Sequence, residues 1–319
     1  MSDVDVPPAE EIIRYEKDPE TRIATITIDR PDQLNVPTIA ARRRYGDLIF
    51  KASVDDDVKV LVIRGVGDHL GTGADLDELM AKQRAGTALH EELGIDEDDD
   101  VTMPGPRSYR AGGNLLHWYG NTRSGCRSLQ DFKKISILEV KGYCYGWHFY
   151  QAADADLVIS SDDALFGHPA FRYTGYAPRM WQWAVMMGLR KFQEMVFTGR
   201  PFGADEMADC GFVNSVVPRA DLEAEVAKYA LACAHTRPTD TVFIQKVFFE
   251  IFKQHQGESM GTLLSAWLES MGPMLRSDED GSPTRLSKET MDAGLNNTVK
   301  DNDSHYPPEW RLSRGGRQT

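Results

Sequence analysis

The strongest constraint in this chain lies between Val140 and Asp156, which reads VKGYCYGWHFYQAADAD. An apolar run (Ile135, Ile137, Leu138, Val140) reads as a strand that stops at Gly142 and Gly146 and passes into a helix rich in aromatics. Such an entry leaves backbone N–H groups unsatisfied in the first helical turn, where the helix dipole favours negative charge. A second glycine turn, Gly71-Thr72-Gly73-Ala74-Asp75, also joins an apolar strand to a helix. Two such turns can aim two N–H groups at one carbonyl oxygen, an arrangement that stabilises an enolate or a tetrahedral oxyanion. Two ordinary strand-to-helix connections have the same glycines, so the rest of the chain has to decide.

Elsewhere strand and helix patterns alternate. Thr21 to Asp29 alternates apolar and polar residues, as a half-buried strand does. Pro37 is placed to open a helix. Val58 to Ile63 suits a buried strand, and strands follow at Leu157–Ser160, Ala164–Gly167 and Val213–Val217. From Asp221 the pattern is helical. This order predicts an α/β core with a helical C-terminal oligomerisation region. The expected boundaries are a flexible arm (1–11), the core (12–218) with an inserted loop or lid near 87–113, a helical region (219–274) and an extended tail (275–319). The tail is rich in Ser, Asp, Asn, Pro and Gly, and is read as disordered or as wrapping a neighbouring subunit.

A net charge of −13 argues against nucleic acid as a partner. No apolar run approaches the ~20 residues of a membrane helix, so no membrane partner is expected. Cys126, Cys144, Cys210 and Cys233 form no CxxC pair and have no zinc spacing to histidine. They read as reduced thiols in a cytoplasmic protein, with no metal and no cofactor expected.

Four motifs in this order resemble the crotonase (enoyl-CoA hydratase/isomerase) superfamily. They are ITIDRPDQLN (26–35), GTGADLDEL (71–79), VKGYCYGWHFYQAADADLVISSDDALFGHPAF (140–171) and FTGRPFGADEMADCGFVNSVVP (197–218). The resemblance spans roughly residues 12–275. It implies a stacked ββα core, a homotrimer or dimer of trimers, and oxyanion stabilisation of an enolate, most often in a CoA thioester. The two N–H donors would be Ala74 and Trp147. Trp147 stands where the family usually has a glycine, so its indole must point away or reshape the pocket.

The departures matter as much. The family's hydratases use two glutamates as acid and base; here Tyr150 and Ala170 stand at those positions. Where CoA-using members often carry phosphate-binding lysines, this chain has Asp32, Asp68 and Asp77, with Arg42, Arg43, Arg44 or Lys246 as possible substitutes. Acid beside a phosphate is repulsive. The remaining candidates for proton transfer are His148, His168 and Tyr150, since imidazole titrates near neutrality. Asp154, four residues after Tyr150, shares its helix face and is a candidate to orient a histidine or water. Packed structural roles are open for each of these residues. His117, Trp118 and Trp181 are candidate pocket residues, as is Trp183; core or interface roles are open for them too.

The favoured expectation is cleavage of a carbon–carbon bond in a bulky or cyclic ketone or β-diketone, without CoA, with His168 activating water. That chemistry resembles the superfamily's β-diketone hydrolases. An acyl-CoA hydratase, isomerase or lyase with relocated groups is the alternative. A catalytically degenerate binding protein is the third reading.

Overall fold

The computed structural model describes residues 7–85, 88–95, 99–105, 108–173, 175–271 and 295–317. Among the described residues, nine strands form two sheets: β1 (Ile13–Asp18), β2 (Ile23–Ile28), β3 (Val60–Gly65), β4 (Ile135–Val140), β5 (Tyr143–Tyr145), β6 (Leu157–Ser161), β7 (Leu165–Gly167), β8 (Phe202–Gly203) and β9 (Ser215–Val217). The larger sheet has the order β1-β2-β3-β4-β6-β9. Only β1 and β2 are antiparallel in it; every other pairing is parallel. The smaller sheet has the order β5-β7-β8. The fold is therefore the mixed α/β arrangement that the motifs imply.

Side-chain alternation explains the packing. In β3, Leu61 and Ile63 face a large core with Ile26, Ile49, Leu138 and Phe149. Val60 and Val62 face the other way, onto Leu222, Val226 and Ala230 of the helix Leu222–His235. A strand buried on both faces reads as a continuous apolar run, as this one does.

Some boundaries differ from expectation. The arm is not wholly loose, since Ala9–Ile12 forms one helical turn with Ile12 fully buried. It leads directly into β1, which the alternation in the sequence did not reveal. Within the expected insertion, Ala88–Leu93 is helical, and a further helix, Tyr109–Gly120, begins before residue 113. Much of the expected tail lies outside the described residues. Its described part, 295–317, folds back on its own chain. Asp303 pairs with Arg172 at 2.8 Å and accepts from Leu312 N, while Tyr145 Oη donates to the Leu312 carbonyl.

Asp154 ends the helix Trp147–Asp154 in a buried ion pair with Arg179. Arg179 also bonds Gln130 at 3.1 Å and reaches Thr262 of the helix Glu258–Ser270. The carboxylate expected to orient a histidine or water is instead committed to joining three elements. Arg179→Ala leaves that carboxylate buried without its partner. The expected cost is about 3–5 kcal/mol of stability, measured by urea unfolding.

Candidate active site

Two glycine turns meet beneath the groove. The chain leaves β4, crosses at Gly142 into β5, and enters the helix Trp147–Asp154 through Gly146. Gly146 has φ +56°, and a Cβ there would lie 3.0 Å from Gly73 Cα. Only glycine lets the two backbones approach this closely. The first turn is laid along β5: Gly71 N donates to Tyr143 O at 2.8 Å, and Tyr145 N donates to Gly71 O at 3.0 Å.

The N–H groups of the first turn can be followed one by one. Gly71 N is held by Tyr143 O, Thr72 N by Leu34 O (3.2 Å), Gly73 N by His148 Nδ1 (3.2 Å) and Asp75 N by Pro37 O (3.2 Å). Among the described residues nothing accepts from Ala74 N, nor from Trp147 N at the start of the helix. Two unsatisfied donors therefore sit on turns that touch each other. The Trp147 indole points away, into the core. Its Nε1 donates to Gly125 O at 2.8 Å and its ring meets Tyr45 edge-on.

The Arg30–Asn35 turn supports this arrangement. Asn35 Nδ2 donates to the carbonyls of Val66 and His69. Arg30 pairs with Asp75 at 2.7 Å. His148 buttresses the same loop: its ring packs so closely on Gly71 that a Cβ there would lie 2.2 Å from it. Burial lowers the His148 pKa to about 3, so it is a neutral acceptor for Gly73 N.

His168 and Tyr150 meet, a convergence that the sequence did not show, while His148 stays at the first glycine turn. Tyr150 Oη lies 2.9 Å from His168 Nε2. Ala170 N donates to His168 Nδ1 at 3.1 Å. A neutral imidazole with Nδ1 accepting carries its proton on Nε2, so Nε2–H donates to Tyr150 and the phenol proton is not committed to His168. Burial also lowers the His168 pKa to about 3 and raises that of Tyr150 well above its usual value. Trp183, stacked on Phe149 at 4.5 Å, and Phe171 complete an aromatic floor around the pair.

The other expected pocket residues lie elsewhere. Trp181 is 37% exposed and packs on Gly261 of the C-terminal helix, so Trp183 is the tryptophan beside the pair. His117 and Trp118 line a separate hollow of about 400 Å³ with Arg43, Glu92 and Arg123. They belong to the exposed and buried sides of one helix, which spacing alone could not separate from a shared pocket face.

A groove of about 820 Å³ runs past Ala74. Asp32 and Asp77 line it, opposite Tyr143, Tyr145 and Pro169, and the folded-back segment adds Lys300 and Leu312. Asp68 lies outside it, 3.8 Å from Arg219. None of the expected substitute cations lines the groove. Lys246 is held by Asp156, Arg44 by the Ile13 carbonyl, and Arg42 stacks over Trp118. Lys300 was missed because its segment carries no periodic pattern. Among the described residues, no group of three or more His, Cys, Asp or Glu is placed to hold a metal ion.

A family model described as Enoyl-CoA hydratase/isomerase matches residues 117–264. The chain is similar to "Putative enoyl-CoA hydratase EchA13" of Mycobacterium tuberculosis, 29% identical over 239 residues, covering 69% of this chain and 68% of that protein. It is also similar to hydroxycinnamoyl-CoA hydratase-lyase of Pseudomonas fluorescens, 27% identical over 206 residues, covering 64% and 66%. These alignments span about two thirds of each relative. A crystal structure of enoyl-CoA hydratase from Mycobacterium smegmatis has the same fold, with TM-score 0.74 and 21% identity over 95% of this chain and 97% of that one.

The two low imidazole pKa values make stability pH-dependent. An unfolded histidine protonates near 6.5, whereas the folded ones resist protonation down to about 3. In that window the unfolded chain binds the extra protons. Stability is therefore full above the unfolded value and falls as pH drops below it, by about 1.4 kcal/mol per pH unit for each histidine. Urea midpoints followed through the mildly acidic range should show this slope, and His168→Gln should remove one histidine's share.

Proposed function

Because the chain belongs to the crotonase (enoyl-CoA hydratase/isomerase) superfamily, we propose that it stabilises an enolate of an acyl-CoA thioester, using Tyr150 and His168 where hydratases use two glutamates. The observation that carries this reading is the hydrogen-bond pattern of the first turn. Four of its five N–H groups are satisfied within the protein, and the fifth, Ala74, faces the groove beside the Trp147 turn. The thioester carbonyl is held by Ala74 N–H and Trp147 N–H as negative charge develops on its oxygen. The Tyr150 hydroxyl handles a proton at the adjacent carbon, and His168 is a positioning residue that fixes the phenol. The names of the relatives support a thioester.

Hydrolytic cleavage beside a free ketone or β-diketone is the second reading. Asp32 and Asp77 on the groove favour it, because they oppose nucleotide phosphates. The state of His168 weighs against it, since both ring nitrogens are occupied and the ring is a poor base. Calorimetric titration with CoA and a short acyl-CoA separates the two. Saturable binding is expected; none, with folded protein, turns the reading to free diketones.

We also propose a homotrimer or dimer of trimers. The helix Thr239–His255 exposes Phe243, Ile244, Phe248, Phe249, Ile251 and Phe252, more apolar surface than a monomer usually leaves in water. Sedimentation should give a trimer or hexamer mass, and a monomer at assay concentration removes this assignment. For the chemistry, Ala74→Pro deletes one donor and should lower kcat on an acyl-CoA substrate by about 10²–10³-fold. Tyr150→Phe should lower it by about 10²–10⁴-fold. Steady-state kinetics on the folded variants checks both.

A further inference from the structure

The short helical turn Pro169–Arg172, which follows His168, is held by the C-terminal segment through one side chain. The side chain of Arg172 is fully buried. Its Nε donates to the Gly199 carbonyl at 2.9 Å, its Nη1 to Asp303 at 2.8 Å and its Nη2 to the Trp310 carbonyl at 2.7 Å. Its guanidinium also lies 3.6 Å over the Tyr306 ring. Gly199, at φ +62°, ends the helix Leu189–Thr198, and a Cβ there would collide with the Arg172 side chain. Asp303 is committed in turn: it also accepts from Leu312 N at 2.8 Å and from Ser313 N at 3.0 Å. Arg172 therefore joins the core to residues 295–317.

One end of this connection is the groove wall. Lys300, three residues before Asp303 in the helix Leu295–Ser304, lines the groove with Leu312 and Ser313. The other end is the reacting pair. The turn supplies Ala170 N–H to His168 Nδ1 at 3.1 Å, and the Phe171 ring lies 5.3 Å from the His168 ring. The Ala170 bond sets the tautomer. While it holds, the ring proton sits on Nε2 and is donated to Tyr150, so the phenol keeps its own proton. A shifted turn withdraws the donor from Nδ1, and the ring can then carry its proton there. Nε2 would in that state accept from the phenol and engage the proton that the substrate needs. A buried ion pair adds little net stability over apolar residues of the same volume. What the Arg172 fork fixes is direction, because its planar donors match one arrangement of acceptors.

Resting on the roles given to Tyr150 and His168 above, we infer that Arg172 is a positioning residue: locked by Asp303 and the Trp310 carbonyl of the C-terminal segment, it holds the Pro169–Arg172 turn so that His168 keeps the tautomer that leaves the Tyr150 proton available. The segment thus acts at two places. It walls the groove through Lys300, Leu312 and Ser313, and it sets the hydrogen-bond direction of the reacting pair through Arg172.

The test compares the wild-type protein with Arg172→Met, which removes the fork, and Asp303→Asn, which keeps one acceptor oxygen and removes the charge. One readout is the long-range proton–nitrogen spectrum of histidine-labelled protein at neutral pH, without substrate, with the His168 signals assigned by His168→Gln. The other is exchange of the α-protons of butyryl-CoA into deuterated water. The wild type should show His168 protonated on Nε2. In the variants the His168 nitrogens should move toward a mixed or Nδ1–H pattern while His148 keeps its wild-type signals. Exchange should slow by about 10²-fold, with a smaller change in KM. Where circular dichroism shows Arg172→Met unfolded, Asp303→Asn is read in its place. Unmoved His168 signals in a folded variant overturn the inference, whatever the rate does. A shift shared by His148 marks general loosening and also overturns it, as does a moved His168 with wild-type exchange. A wild type that exchanges no thioester protons fails the thioester reading instead, and the spectra then decide alone. A His168 shift with His148 fixed keeps Arg172 as the residue that sets the tautomer, and its absence overturns the inference.

Discussion

The approach of Gly146 to Gly73 is the contact on which the rest of the structure depends. At both positions the space where a side chain would stand is turned toward the backbone of the other turn. The surrounding groups are arranged to hold that approach. Arg30 ties down Asp75, Asn35 holds the carbonyls that lead into the first turn, and the His148 ring fills the space over Gly71. Each satisfies a group that water would otherwise compete for. The effect is to spend every N–H of the loop except that of Ala74.

The second feature is the neutrality of the Tyr150–His168 pair. Two glutamates so deeply buried would need partners or would protonate. A phenol and an imidazole cost far less to bury uncharged, and here they are embedded among Phe149, Phe171 and Trp183. The aromatic floor is thus chemically consistent with the loss of both carboxylates. It keeps the immediate surroundings of the pair dry while the groove beyond Ala74 remains open to solvent.

The backbone of this design is legible in the sequence because it depends on residue types that have few substitutes. Glycines at 71, 73, 142 and 146 and the Arg30–Asn35 turn mark the two turns, and the apolar runs mark the strands. What escaped depends on pairings between residues distant along the chain. Nothing near Asp154 announces that Arg179 will neutralise it. His148 and His168 are equally good proton carriers on paper; only the location of each ring shows that one supports a loop and the other a phenol. Trp181 and Trp183 are two residues apart in one short helix, yet one is part-exposed and the other fully buried.

The folded-back segment has a consequence for how the protein is made. Its latches to Arg172 and Tyr145 bring Lys300, Leu312 and Ser313 onto the groove wall, opposite residues as early as Asp32. A chain emerging from the ribosome can assemble both sheets and join the two glycine turns before residues 295–317 exist. The two glycine turns then stand joined in a molecule whose groove still lacks one wall. Completion of the groove thereby waits on a segment that is made after both sheets.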